Sequence, residues 1–340
     1  MVNTGSAISL LRYLSFMETE ITSVIHRLGK FLQLIRFPNL LIIILTQFLL
    51  RYCLFKPFLY DGDTEVMTSL LDFSLLCLAT ILITSGGYVI NDYYDIRIDE
   101  VNKPSQLVVG KVISGRTAIK WHILLTLLGS LIGFYLSYRV RLLSFGLIFP
   151  VVGLLLWFYS AKYKRILFWG NFIVALLSAL VVLIVYVFEF FWLRLHPEFF
   201  ADLIPDLLSV QKLFGVYAVF AFLVTFFREI IKDMEDVKGD ARVGCKSIPI
   251  ILGIHASRWI VTGLIGLTAI LMVCGLLVLY HLSLMTVFWY LVLTTLIPML
   301  FLVYRVFKSN TPEEYHIMSN ICKIIMVAGV LSMQLLAISK

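Results

Sequence analysis

Asn91-Asp92-Tyr93-Tyr94-Asp95-Ile96-Arg97-Ile98-Asp99 closes a long apolar run that opens near residue 68. Asp92, Asp95 and Asp99 stand at i, i+3 and i+7, which on a helix stacks three carboxylates on one face. Three anions so close repel one another unless a divalent cation or an organic polycation holds them. The spacing returns at Asp233, Asp236 and Asp240, in Lys232-Asp233-Met234-Glu235-Asp236-Val237-Lys238-Gly239-Asp240, each Asp 141 positions after its counterpart. Two acidic tracts of matched spacing, each ending an apolar run, organise the reading of the whole chain.

Around them the sequence is 340 residues long, 60% hydrophobic and 14% charged, with a mean hydropathy of +0.95. Soluble domains carry about 25% charged residues, so the composition predicts an all-α, polytopic membrane protein. The net charge of +7 is assigned to basic loops facing cytoplasm and anionic lipid, and nucleic acid is not expected as a partner. Cys53, Cys77, Cys245, Cys274 and Cys322 show neither metal-binding nor disulfide spacing and read as packing residues.

A span needs about 20 mostly apolar residues. Nine segments qualify, at 37–55, 68–91, 118–138, 142–160, 169–192, 212–232, 257–280, 284–305 and 316–338. Residues 1–36 read as a cytoplasmic or interfacial amphipathic helix, and 37–340 as the transmembrane domain. With the N-terminus inside, 20 Lys and Arg fall in inner segments and seven in outer ones, while Lys323 lies within the last span. Both Asp tracts therefore face the cytoplasm, in the plasma membrane if the source is prokaryotic. They follow the second and sixth spans, which predicts two parallel four-helix units plus a ninth helix, with the acidic ends facing each other across a cavity. Asp72 and Glu189 fall near outer span ends and are expected at the interface. The segment 194–206 reads as a long outer loop, and His196 and His255 as structural or solvated residues.

Mg2+ binds a few carboxylates together with substrate phosphates. Two facing Asp clusters suit one or two such ions against a diphosphate, with Arg97, Lys103, Lys162, Lys164, Arg165, Arg228 and Lys232 sharing the charge. The rest of such a diphosphate would be a long apolar chain buried among helices, where aromatic rings face a developing carbocation. No Ser-His-Asp or Cys-His constellation is evident in the inner loops, in keeping with a route that needs no covalent enzyme intermediate. Solvated ion-pair networks at helix ends are the bland alternative, and six matched Asp residues argue against it. A secondary transporter is the alternative from another class. Transporter sites sit near the midplane on broken helices, whereas these carboxylates cluster at one membrane face.

Asn91-Asp-x-x-Asp-x-x-x-Asp99 with Asp233-x-x-Asp236-x-x-x-Asp240 resembles the UbiA-type intramembrane prenyltransferases. Arg36-Phe37-Pro38-Asn39 opens span one as that family's first helix opens. Asn102-Lys103-Pro104 follows the first tract as it does there, and Tyr159-Ser160 with Lys164-Arg165 resembles its Tyr-Ser…Lys-Arg loop. The resemblance implies a nine-helix bundle, Mg2+, and transfer of an isoprenyl group from an isoprenyl diphosphate to an acceptor. It implies Asn91 and all six Asp residues as catalytic, with Asp92, Asp95, Asp233 and Asp236 on the metal. It also implies Arg97, Lys103, Tyr159, Ser160, Lys164, Arg165, Arg228 and Lys232 around the diphosphate.

Within the family, Arg228 through Asp240 is most similar to the enzymes that prenylate a geranylgeranylglyceryl phosphate. The loop Ser105-Gln106-Leu107-Val108-Val109-Gly110 stands where many members carry an Arg-Pro-x-x-Ser-Gly tract. Quinone-ring, haem and chlorophyll-type acceptors thus stay open beside a lipophilic glycerol phosphate. For the latter, Lys103, Lys111 and Arg242 are the expected phosphate contacts.

Overall fold

A computed structural model describes residues 17, 25, 28–60, 66–102, 104, 105 and 107–339. Lys103, and nearly all of the expected amphipathic helix within 1–36, lie outside the described residues. Among the described residues regular structure is helical, apart from an isolated bridge between Val109 and Ile113. Nine helices there are long and apolar enough to cross a membrane: α1 (Phe37–Leu59), α2 (Leu70–Asn102), α3 (Gly115–Arg139), α4 (Leu143–Ala161), α5 (Trp169–Leu193), α6 (Pro197–Arg242), α7 (Gly253–His281), α8 (Met285–Lys308) and α9 (Pro312–Ser339).

Two helices outrun their expected bounds. At 1.5 Å per residue, α2 and α6 extend for about 50 and 70 Å, against a hydrocarbon core of about 30 Å. The Asp tracts therefore continue their helices beyond the apolar runs that end at 91 and 232. The expected outer loop at 194–206 is mostly helix as well. Pro197 occupies the first turn of α6, where no helical hydrogen bond is lost, and Pro205 sits inside the helix.

Helix α2 packs on α3 and α4, and α6 packs on α5, α9 and α7. Three buried clusters fix this. Phe55, Phe73, Phe145, Phe188 and Phe214 fill the end of the bundle remote from the Asp tracts. Phe227, Ile231, Met318, Cys322 and Ile325 join α6 to α9. Leu34, Leu40, Val89, Val108 and Val109 hold the loop after α2 against α1 and α2. Outward faces stay apolar, as at Leu131, Ile270 and Leu293, which suits lipid as the solvent. Cys274 belongs to that outward surface, whereas Cys77, Cys245 and Cys322 are buried.

Asp72 and Glu189 depart from the interfacial role expected of them: both side chains are buried and paired. Glu189 meets Arg51 Nε at 3.2 Å and accepts from Thr68 Oγ1 at 2.6 Å and from Thr68 N at 3.1 Å. Asp72 pairs with Arg139 at 2.9 Å and accepts from Ser69 Oγ at 2.9 Å. Arg51 lies in a π-helical stretch of α1, Leu50–Phe55. A buried charge is tolerable only when paired, and these pairs tie α1, α2, α3 and α5 together at the end opposite the Asp tracts.

Candidate active site

The two tracts meet. They occupy the C-terminal ends of α2 and α6, which pack against each other. Asn102, the last residue of α2, donates from Nδ2 to Asp236 O at 3.1 Å and to Asp236 Oδ1 at 3.5 Å. Gly239 permits the approach, since a Cβ there would lie 2.4 Å from Asn102 Nδ2.

Each of the four leading carboxylates has a partner that orients it. Asp95, buried, accepts from Asn91 Nδ2 at 2.7 Å and pairs with Lys164. Asp92 pairs with Arg36 Nη2 at 3.2 Å, and Asp233 accepts from Asn171 Nδ2 at 2.8 Å. Asp236 is held by Asn102. Asp99 and Asp240 lie further along their helices, with Asp240 buried.

Lys164 is delivered by a 3-10 turn, Tyr163–Arg165, between α4 and α5. Gly170 lets that turn lie on α5, because a Cβ there would sit 3.0 Å from Lys164 Cα. Burial alone would lower the Lys164 pKa. The Asp95 carboxylate, the Tyr159 phenol and Asp240 outweigh it and raise the value, so the ammonium stays charged. Arg36 behaves likewise: burial opposes its charge, and Asp92, Tyr88 and Asp95 raise its pKa regardless. Arg36 caps α1 in the left-handed region (φ 52°), a strained conformation for a non-glycine residue. That places its guanidinium 4.7 Å from the Tyr88 ring centroid.

Beside these groups opens a cavity of ≈ 320 Å³. Arg36, Asn91, Lys164, Arg228, Glu229 and Lys232 line its polar end, with Lys323 and Tyr159. Ile43, Phe149, Val152, Val181, Met326 and Val330 line its apolar body, contributed by α1, α4, α5 and α9.

Several expected residues fall elsewhere. Ser160 spends its hydroxyl on Leu156 O at 2.9 Å, within its own helix. Arg97 is exposed, and Arg165 is half-buried with its carbonyl accepting from Lys246 N at 3.0 Å; neither lines the cavity. Lys111 donates to Pro104 O at 2.8 Å on the exposed loop, and Arg242 is exposed. Conversely, Asn171, Glu229 and Lys323 were not singled out for the site from sequence. Lys323 had a legible signal, a lone cation inside an apolar span. Asn171 had none, because an amide near a span's start is unremarkable until α6 is seen beside it.

The donor set is all oxygen, which suits a hard cation. Among the described residues no three Asp, Glu, His or Cys side chains are arranged to hold a metal by themselves. That fits an ion carried in with phosphate oxygens as part of its shell.

Known proteins share these features. A digeranylgeranylglyceryl phosphate synthase of Methanothermobacter thermautotrophicus is 33% identical over 194 residues, 56% of this chain and 60% of that protein. The chain thus aligns with about 60% of the length of this curated relative. The solved structure of a digeranylgeranylglyceryl phosphate synthase superposes with a TM-score of 0.59 at 26% identity, covering 93% of this chain and 100% of that one. A UbiA homologue from Archaeoglobus fulgidus, bound to DMAPP and Mg2+, shares the fold with a TM-score of 0.52 at 17% identity, covering 89% of this chain and 99% of that one. Residues 63–320 match the UbiA prenyltransferase family, and the chain, with its paired carboxylate tracts above an apolar cavity, belongs to that family.

Proposed function

We propose that the chain transfers an isoprenyl group from its diphosphate to a lipophilic glycerol phosphate, with Mg2+ at the Asp tracts and the site open to the cytoplasm. One observation carries this reading: two carboxylate tracts converge beside a cation-lined polar end, and an apolar cavity continues from it. The names of the relatives support the acceptor class, and the positive-inside bias supports the orientation.

Asp92, Asp95, Asp233 and Asp236 would hold the metal, with Asp99 and Asp240 behind them. When bound, Mg2+ neutralises the diphosphate as its bond to carbon lengthens. The protein's part is placement. Asn91, Asn171 and Asn102 keep Asp95, Asp233 and Asp236 oriented, so little reorganisation accompanies reaction. Lys164 and Arg36 line the cavity as fixed cations that meet the entering diphosphate. The prenyl tail lies in the apolar body, where water is excluded.

The bond between C1 and the diphosphate oxygen breaks with its electron pair leaving on the diphosphate. The acceptor hydroxyl oxygen then bonds to C1 and gives up its proton. Glu229, a carboxylate on the cavity wall, is placed to receive it.

The test is transfer itself. Purified protein is incubated with Mg2+, labelled geranylgeranyl diphosphate and separate acceptors: a geranylgeranylglyceryl phosphate, an aromatic acid, a quinone ring and a porphyrin. Product is expected with the glycerol phosphate, abolished by EDTA and restored by added Mg2+. Transfer to a ring acceptor alone would remove the acceptor assignment, and full turnover in EDTA would remove the metal.

A further inference from the structure

Lys323 is a cation on α9, well inside an apolar helix, and it lines the cavity. Among the described residues it makes no hydrogen bond and no ion pair, and its electrostatic neighbours are chiefly cations: Arg228, Lys232 and Arg36, with Glu229 the counter-charge. Arg228, opposite, uses Nη1 on Glu229 Oε1 at 2.6 Å. Among the described residues its Nε is buried without a partner. Buried donors and unpaired cations are costly to maintain, and a ligand anion would satisfy both.

The register of α6 and α9 puts these groups at one level. The helices run antiparallel, and His316 Nδ1 meets Glu235 Oε1 at 3.1 Å near the tract end. Tyr217 OH meets Ser332 Oγ at 2.7 Å at the far end. From the first pair, seven residues along each helix is about two turns, roughly 10 Å, and returns to nearly the same face. That step leads from His316 to Lys323 on α9 and from Glu235 to Arg228 on α6.

On α6 Arg228 stands apart from the carboxylates, and Lys232 lies between. At about 100° per residue, Arg228 projects about 80° to 140° from Asp233, Asp236 and Asp240, whereas Lys232 is about 40° from Asp236. An anion on Arg228 and Lys323 is therefore beside the Asp tract, with Lys232 at the border between the two.

We propose that Lys323, with Arg228 and Lys232, forms a second anion subsite that takes the phosphate monoester of the acceptor lipid. This rests on the glycerol phosphate reading above. It moves the acceptor phosphate from the expected loop residues, of which Lys111 and Arg242 are exposed, to the seam of α6 and α9, and it takes Arg228 and Lys232 from the diphosphate to which the resemblance gave them. Holding the phosphate there would bring the adjoining hydroxyl to the wall that carries Glu229.

Steady-state kinetics of the full chain in neutral-lipid nanodiscs test this, with geranylgeranyl diphosphate as donor. The acceptors are geranylgeranylglyceryl phosphate and the same ether lipid without its phosphate. Lys323→Met is expected to raise KM for the phosphate acceptor by about 10- to 100-fold, the loss of one charge-assisted contact. KM for the donor should stay unchanged, and the preference for the phosphorylated acceptor should shrink. Lys323→Arg should restore acceptor binding, and Lys323→Gln serves should methionine impair folding. An unchanged acceptor KM in a monodisperse variant overturns the subsite, as does an equal rise in donor KM. Wild-type protein that prenylates ring acceptors and ignores the glycerol phosphate overturns the acceptor class on which the subsite depends. Wild-type protein inert with every acceptor overturns the prenyl-transfer reading itself.

Discussion

At the scale of single residues, chemistry is set by which charge faces which. Asp95 is buried between Asn91 and Lys164, so its orientation is determined before any ligand arrives. Replacing it with Asn removes the charge proposed to hold metal while keeping the shape. Asp95→Asn, and likewise Asp236→Asn, should lower kcat on the order of 10²-fold or more, the scale for losing one preorganised electrostatic group. Retention of a monodisperse, membrane-inserted protein would separate this from misfolding. Full activity in either variant would remove that tract from the site. Lys164→Ala should raise KM for the diphosphate by about 10- to 100-fold. Ser160→Ala should leave it alone, because that hydroxyl is committed to Leu156 O. Equal effects of the two would mean that the Tyr-Ser…Lys-Arg loop acts as a unit.

At the scale of elements, two contacts between helices carry most of the arrangement. Where α2 ends on α6, Gly239 leaves room for the Asn102 carboxamide. A methyl group would displace that flexible head sooner than the helices. Gly239→Ala and Asn102→Ala should therefore each lower activity, and the double variant should be no worse than the worse single one, since both break the same bonds to Asp236. Additive losses would show that Gly239 acts some other way.

At the opposite end, Arg51 and Glu189 are a buried pair joining α1 to α5. Arg51→Met leaves Glu189 buried and uncompensated, and should cost about 3 to 5 kcal/mol of stability. Adding Glu189→Gln should return part of that loss. Thermal unfolding in detergent measures both, and a single variant as stable as wild type would demote the pair to an incidental contact.

At the scale of the whole molecule, both tracts lie at one end of the bundle and the Arg51 and Asp72 pairs at the other. The basic bias of the chain supports the proposal that the tract end faces the cytoplasm. Reporter fusions at 104–114, 162–168 and 243–252 should therefore read as inside, and fusions at 194–196 as outside. Fusions at the tract end reading as outside would reverse the orientation and leave the chemistry intact.

The sequence by itself determined the class and number of elements: nine apolar runs in 340 residues, six Asp at duplicated spacing, and loops whose charges choose a side. Those properties are local, because burial in lipid is decided over about 20 consecutive residues. Helix ends were less legible. Hydropathy ended two spans at residues 91 and 232, and charge and proline between residues 194 and 206 read as loop, yet a helix leaving the membrane keeps its backbone bonds while its side chains change solvent. The tertiary structure alone decided the pairings. Arg36 meets Asp92 from 56 positions away, Lys164 meets Asp95 from 69, and Thr68 meets Glu189 from 121. Glu189 shows why periodicity could not foresee this: an acidic residue near a span's end looks interfacial until an arginine from another helix is found buried against it. Lys323 is the same case in reverse, a cation whose meaning came from Arg228 facing it across α6 and α9. Coulombic partners are chosen by distance in space, and the sequence records only distance along the chain.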